Sequence, residues 1–256
     1  MGWNISRLLL AVFCLSLSIE IAASGEAKGS EPNSRAEMAM LFEPPPEDAT
    51  PRGTAGGASR GTCLQGLQAG YREAPGLEVT ALMPESRQGL TLAERPTFFV
   101  AVAGNAIAAE LSLWDEEYNG IYQTDLSFND GPGIVSIVLP PDAPGLEQGK
   151  SYKWSLAVIC DTNNRNRDAV VEGWIQRSEP NANLLASLEK AKTQLEKAAL
   201  YAENGFWYDT VSALAEVRRQ KPDDPNLAVE WKELLISVGL ERIVNKPLID
   251  CCPVEN

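Results

Sequence analysis

Hydrophobic and polar positions change their period along the chain. Between Leu77 and Gln176 they alternate with a period of two, the mark of strands buried on one face. The alternation predicts strands over Glu78–Met83, Thr97–Val102, Glu110–Asp115, Ile121–Phe128, Gly133–Leu139, Tyr152–Cys160 and Ala169–Gln176. Each is short, β-branched or aromatic, and bounded by Gly, Pro, Asn or Asp. Tyr118-Asn119-Gly120 predicts a hairpin through an Asn-Gly turn, and Asn129-Asp130-Gly131-Pro132 predicts another turn. So many short strands so closely spaced predict an antiparallel β-sandwich.

From Ser178 onward the period becomes helical. Leu184, Leu188, Ala191, Leu195, Ala198 and Ala202 form one apolar stripe, read as one helix stopped by Asn204-Gly205. A second helix is predicted over Phe206–Gln220, with Trp207, Val211, Leu214 and Ala215 inward. After the break at Lys221–Pro225, Asp224 is the natural N-cap and Pro225 the natural first residue of a third helix. That helix buries Leu227, Trp231, Leu234, Leu235 and Val238 and ends at Gly239. So small a helical unit cannot bury its apolar face alone, so it is expected to dock on the strand block or on a partner.

The N-terminal stretch reads as an address. Arg7 precedes an apolar run, Leu8–Ile19, and Ala22-Ala23-Ser24 offers small residues for cleavage. Residues 1–24 are therefore expected to be a signal peptide, and the protein to be exported, periplasmic or extracellular. Residues 25–62 hold Pro44-Pro45-Pro46 and scattered Gly, and read as a disordered linker. The expected organisation is α+β: a sandwich domain over 63–177 and a helical C-terminal unit over 178–256.

Composition narrows the chemistry. The 256 residues include no His, which excludes Ser-His-Asp triads, Cys-His pairs and His-ligated metals. The net charge of −13 repels nucleic-acid phosphates and anionic lipid, so no nucleic-acid partner is expected. No later segment is apolar enough for a membrane span. Beyond Cys14 in the signal segment, Cys63, Cys160, Cys251 and Cys252 remain, an even set that favours disulfides in an exported chain. Bonding the adjacent Cys251 and Cys252 to each other would strain the intervening peptide. The two other pairings each join one of them to Cys63 and the other to Cys160.

Candidate sites are few. Asp115-Glu116-Glu117 beside the hairpin turn could supply carboxylates, but such a run reads first as a solvated strand edge. Asp161, Asn163, Asn164, Asn166 and Asp168 could ligate a hard cation. Arg165 and Arg167 interrupt that set, so a polar loop with Asx-turns is the stronger reading. Trp114, Trp154, Trp174, Trp207 and Trp231 all fall on periodic positions and read as core. No catalytic residue, metal site or cofactor site is expected.

Three resemblances add to this. Leu146, Gly149, Tyr152 and Trp154 resemble the corner before the penultimate strand of fibronectin type III and immunoglobulin-like domains. The resemblance implies an immunoglobulin-like sandwich in which the Tyr152 hydroxyl bonds back to the corner. Gly205, Trp207, Tyr208, Ala213, Leu214 and Pro222 loosely resemble a tetratricopeptide unit. The segments Leu92–Phe98, Gly133–Ser136, Trp154–Asp161, Glu172–Arg177 and Gly205–Asp209, with Ser59–Cys63 and Cys251-Cys252, resemble a mainly cyanobacterial family of unknown function. That resemblance implies an exported or envelope-associated protein and brings no activity with it.

The expected function is a non-catalytic protein-binding or assembly module of the cell envelope, partnered by an envelope or secreted protein. Two alternatives are a carboxylate-dependent hydrolase of envelope glycans and an accessory factor for secreted proteins. Convergent buried carboxylates in a pocket would favour the hydrolase.

Overall fold

Strands form where the alternation places them. The computed structural model describes residues 40–45, 62–63, 77–104, 106, 108–128 and 131–250. Residues 1–24, read as a signal peptide, most of the segment read as a linker, and Cys251 and Cys252 lie outside the described residues. The strands are β1 (Thr62–Cys63), β2 (Leu77–Ala81), β3 (Gln88–Thr91), β4 (Thr97–Ala103), β5 (Ala108–Trp114), β6 (Gly120–Ser127), β7 (Gly133–Val138), β8 (Ser151–Val158), β9 (Ala169–Arg177) and β10 (Leu248–Asp250). One sheet runs β1-β2-β4-β7-β10 and the other β3-β9-β8-β5-β6.

The class is α+β, as expected, but the sheets are mixed rather than antiparallel. β3 pairs parallel to β9, and β10 pairs parallel to β7. These two strands, with β1, are the ones the alternation misses. β3 has four residues and β10 three, too few to display a period, and their partners lie far away in the chain.

Burial of β4 on both faces explains how the layers stack. Phe98 points toward the second sheet, its ring 5.0 Å from that of Trp154 on β8. Phe99 points the other way and sits opposite Ser136 of β7. On that side Arg219 Nη2 donates to Ser136 Oγ at 2.8 Å, while the Tyr208 ring meets Phe98 edge-on at 5.8 Å, so helical residues reach both faces of β4. Phe98, Val100 and Ile134 are fully buried, each stabilising by roughly 1.5–3 kcal/mol relative to exposure.

The helices are α1 (Ala182–Lys190), α2 (Gln194–Glu203), α3 (Trp207–Gln220) and α4 (Pro225–Ser237). The single stripe read as one helix is thus two. Thr193 accepts from Glu196 N–H while the Glu196 carboxylate accepts from Thr193 N–H, and this capping box starts α2. The Asp224 cap and Pro225 start of α4 are as expected, and Gly239 follows it at φ 79°.

The first turn of α3 locks the helices to the strands. Trp207 Nε1 donates to Leu82 O at 2.8 Å. The Tyr208 hydroxyl accepts from Trp154 Nε1 at 2.6 Å and donates to Trp174 O at 3.2 Å. A Cβ on Gly89 would lie 2.9 Å from the Tyr208 ring, so glycine admits this approach. Strands and helices accordingly form one compact unit, Ala39–Asn256.

Part of the segment read as a linker is built into this unit. Met40 N–H donates to Glu230 of α4, and Glu43 N–H donates to Ala202 O of α2. The Phe42 ring meets the Trp207 ring edge-on at 4.9 Å. Met40 and Phe42 are the apolar residues that make this packing favourable.

Candidate functional site

Alternation along β8 and β9 puts Lys153, Glu172 and Trp174 on the face of the second sheet that points away from the first. Lys153 lies directly opposite Trp174 in the β8–β9 register. Lys153 Nζ pairs with Glu172 Oε2 at 2.8 Å. Over them stands Tyr118, from the loop joining β5 and β6, its ring edge-on to Trp174 at 6.1 Å. Lys153 Nζ is 5.7 Å from the centre of the Tyr118 ring. Trp174 is buried beneath this cover, whereas Tyr118 is 58% exposed.

The loop explains why Tyr118 stands there. Asp115 accepts hydrogen bonds from Glu117 N–H, Asn119 N–H and the Asn119 side-chain amide. The Asn119 amide holds the Asp115 carboxyl below its ordinary pKa. Glu116 accepts from Ser151 N–H at 2.9 Å. The wrapped loop leaves Tyr118, not Asn119, at φ 63°, a conformation costly for a residue with a side chain. The expected two-residue Asn-Gly turn is therefore a five-residue loop organised by Asp115. Asp115 and Glu116 hold the loop in shape and are not a facing catalytic pair.

A cavity of about 430 Å³ adjoins this face. Glu78, Glu85, Arg87 and Glu172 line it, with Val238 and Leu240 beyond the end of α4. Glu172 belongs to both the cavity and the ion pair under Tyr118. Arg87, also in the cavity lining, meets Trp174 through its backbone: its carbonyl accepts from Trp174 N–H at 2.8 Å. Its φ is 54°. The two described non-glycine residues with positive φ thus flank Trp174. Glu78 and Glu85 are solvent-exposed.

The carboxylate most altered by its surroundings lies elsewhere. Asp209, in the first turn of α3, accepts from Leu92 N–H at 3.0 Å and from the Thr91 hydroxyl. Burial pushes its pKa up to about 6, against those hydrogen bonds. It fastens α3 to the end of β3 and does not line the cavity.

The remaining sequence candidates have structural roles. Asp161 accepts from Asn163 N–H at 2.9 Å in an Asx-turn. Asp168 accepts from Cys160 N–H and pairs with Arg165. No group of three or more acidic, Cys or His side chains able to hold a metal occurs among the described residues. Trp154, Trp207 and Trp231 are fully buried. Cys160 is disulfide-bonded. Glu147 N–H donates to the Tyr152 hydroxyl at 3.0 Å, closing the corner that the sequence resemblance implies. Sequence reasoning missed the pairing of Tyr118 with Trp174, because it joins positions distant in the chain. It also missed Arg87, whose positive φ has no sequence marker.

A family model described as Domain of Unknown Function (DUF928) matches residues 55–248. No curated protein matches the chain. Among solved structures, the chain is similar at 10% identity and TM-score 0.22 to Bifidobacterium dentium β-glucuronidase in complex with coumarin-3-O-glucuronide. That likeness covers 38% of this chain and 17% of the other. A second likeness, at 8% identity and TM-score 0.24, is to Parabacteroides merdae β-glucuronidase with glycerol in its active site. It covers 63% of this chain and 27% of that one. Likeness at these scores carries no argument about fold or activity. No helix among the described residues is long and apolar enough to cross a membrane.

Proposed function

The chain belongs to the DUF928 family, a membership that carries no activity, and from its own geometry we propose that it is a non-catalytic protein-binding module of the cell envelope. The observation that carries this reading is Tyr118: an exposed ring in a strained loop, seated on a buried Trp174 and beside the Lys153–Glu172 ion pair. Aromatic anchors with charged neighbours are the residues that dominate protein interfaces. The exposed Glu78 and Glu85, and the Lys153-bound Glu172, lack the burial that a general acid requires.

The partner is an envelope or secreted protein, and the chain reaches it by export. Signal cleavage near residues 23–25 and periplasmic or extracellular location are part of the proposal. The strand order β9-β8-β5-β6 beside β2-β4-β7, with the Tyr152 corner, supports an immunoglobulin-like sandwich augmented by the parallel strands β3 and β10. The helices supply a tetratricopeptide-like buttress. Cys160 is expected to pair with Cys251 or Cys252, and Cys63 with the other; non-reducing peptide mapping reads this directly.

The test is capture from envelope extracts with the mature chain and with Tyr118→Ala. A specific partner that is retained by the mature chain and lost with Tyr118→Ala supports the reading. Tyr118→Ala is expected to leave the melting temperature within a few degrees of the unaltered chain, because the ring is exposed. Capture unaffected by Tyr118→Ala overturns the role of this face. Release of sugar from envelope glycans, abolished by Glu172→Gln, would replace the module reading with the hydrolase.

A further inference from the structure

A second cavity, of about 390 Å³, has the opposite character. It lies between the last turn of α3, the middle of α4 and the loop before β10. Arg218, Lys232 and Lys246 line it, one cation from each of these three segments. Among the described residues no carboxylate lines it, in a chain that carries 35 Asp and Glu against 22 Lys and Arg. Val229, Val244 and Pro247 supply apolar wall, and Val229 is 53% exposed.

Arg218 is the informative member. Its guanidinium stands over the Trp231 ring at 4.9 Å, which fixes its plane. Arg218 Nη1 and Trp231 Nε1 are both buried with no hydrogen-bond partner. Buried donors left unpaired cost about 1–3 kcal/mol each and are rare. A cation in the last turn of α3 complements the helix dipole. That accounts for one charge, and not for the lysines that join it from α4 and the following loop.

We propose that this cavity binds a tetrahedral oxyanion, a phosphoryl or sulfuryl group carried on a small molecule with an apolar body. Arg218 contributes a permanently charged guanidinium to the lining. Lys232 and Lys246 approach from separate segments, which suits a tetrahedral group with further oxygens better than a planar carboxylate. The walls formed by Val229, Val244 and Pro247 receive the apolar body. The net charge of −13 disfavours a polyanion such as nucleic acid, but a small anion meets only the local positive field.

Phenyl phosphate, phenyl sulfate and benzoate serve as probes, titrated calorimetrically into the full chain at constant ionic strength. Phenyl phosphate or phenyl sulfate is expected to bind at least about tenfold more tightly than benzoate. Lys232→Gln and Lys246→Gln are each expected to weaken that binding about tenfold, the loss of one charge-assisted contact. Both lysines lie toward the surface, so these variants keep the fold, which circular dichroism verifies. Affinity for phenyl phosphate should rise as its second ionisation, near pH 6, completes, while phenyl sulfate stays level. Preference between the two esters names the group, the phosphoryl ester reaching two charges and the sulfuryl ester carrying one. Benzoate binding as tightly as either ester overturns the proposal, as does a Lys232→Gln/Lys246→Gln chain that binds them unchanged.

Discussion

Asp209 offers the sharpest quantitative test of how the two halves are joined. Its carboxylate ties the first turn of α3 to Leu92 N–H and to the Thr91 hydroxyl, yet burial dominates and raises its pKa from 3.8 to about 6. A folded-state pKa above the unfolded one means that the folded state holds the proton more tightly. This contribution to stability is fully present below about pH 3.8 and is lost as the pH rises through about 6. At 1.36 kcal/mol per pKa unit, the gap amounts to at most about 3 kcal/mol. Asp209→Asn removes the titration and keeps an oxygen to accept from Leu92 N–H. Urea unfolding of both chains should therefore show the stability difference, variant minus wild type, growing by up to about 3 kcal/mol between pH 4 and pH 7. Subtracting one chain from the other cancels the titration of every shared carboxylate. A flat difference, or one that grows toward acid, would mean that the hydrogen bonds outweigh burial, and would refute the reasoning.

The same junction yields two further expectations. Tyr208→Phe strands Trp154 Nε1 in the interior and takes the hydroxyl donor from Trp174 O; it should cost on the order of 1–3 kcal/mol by chemical unfolding, and a loss below about 0.5 kcal/mol would remove this link from the docking. Gly89→Ala places a methyl 2.9 Å from the Tyr208 ring; it should cost about 1–3 kcal/mol, and a neutral result would show that α3 can shift away from β3.

Legibility in the sequence tracked the range of the physical cause. β4 to β9, apart from their ends, could be read from alternation, because each face of a strand reports its own burial. The Asp224 cap and Pro225 start were legible because capping is local chemistry. The α1–α2 break was also written locally, in Thr193 and Glu196, but the continuous apolar stripe masked it. β3 and β10 could not be read, since parallel pairing with β9 and β7 is a property of the assembled sheets. The site divides the same way. Asp115-Glu116-Glu117 was visible as a loop edge, whereas the convergence of Tyr118, Trp174, Lys153 and Arg87 exists only after β3, β5, β8 and β9 are side by side.

The helical unit bears most directly on function through what already occupies it. A groove between helices can take an amphipathic helix of a partner, which would make these helices one candidate surface. Here Met40–Pro45 lies across them, bonded to Ala202 of α2 and Glu230 of α4 and packed through Phe42 on Trp207 of α3. Pro45 sits so close to the α2–α3 turn that a Cβ on Gly205 would lie 2.8 Å from its nitrogen. The chain thus satisfies its own helices in cis, and a peptide competing for them would have to displace Phe42 from a buried ring contact, at roughly 1.5–3 kcal/mol for that side chain alone. That cost moves the search for partners off the helices and onto the Tyr118 face, where the aromatic ring is exposed before any partner arrives.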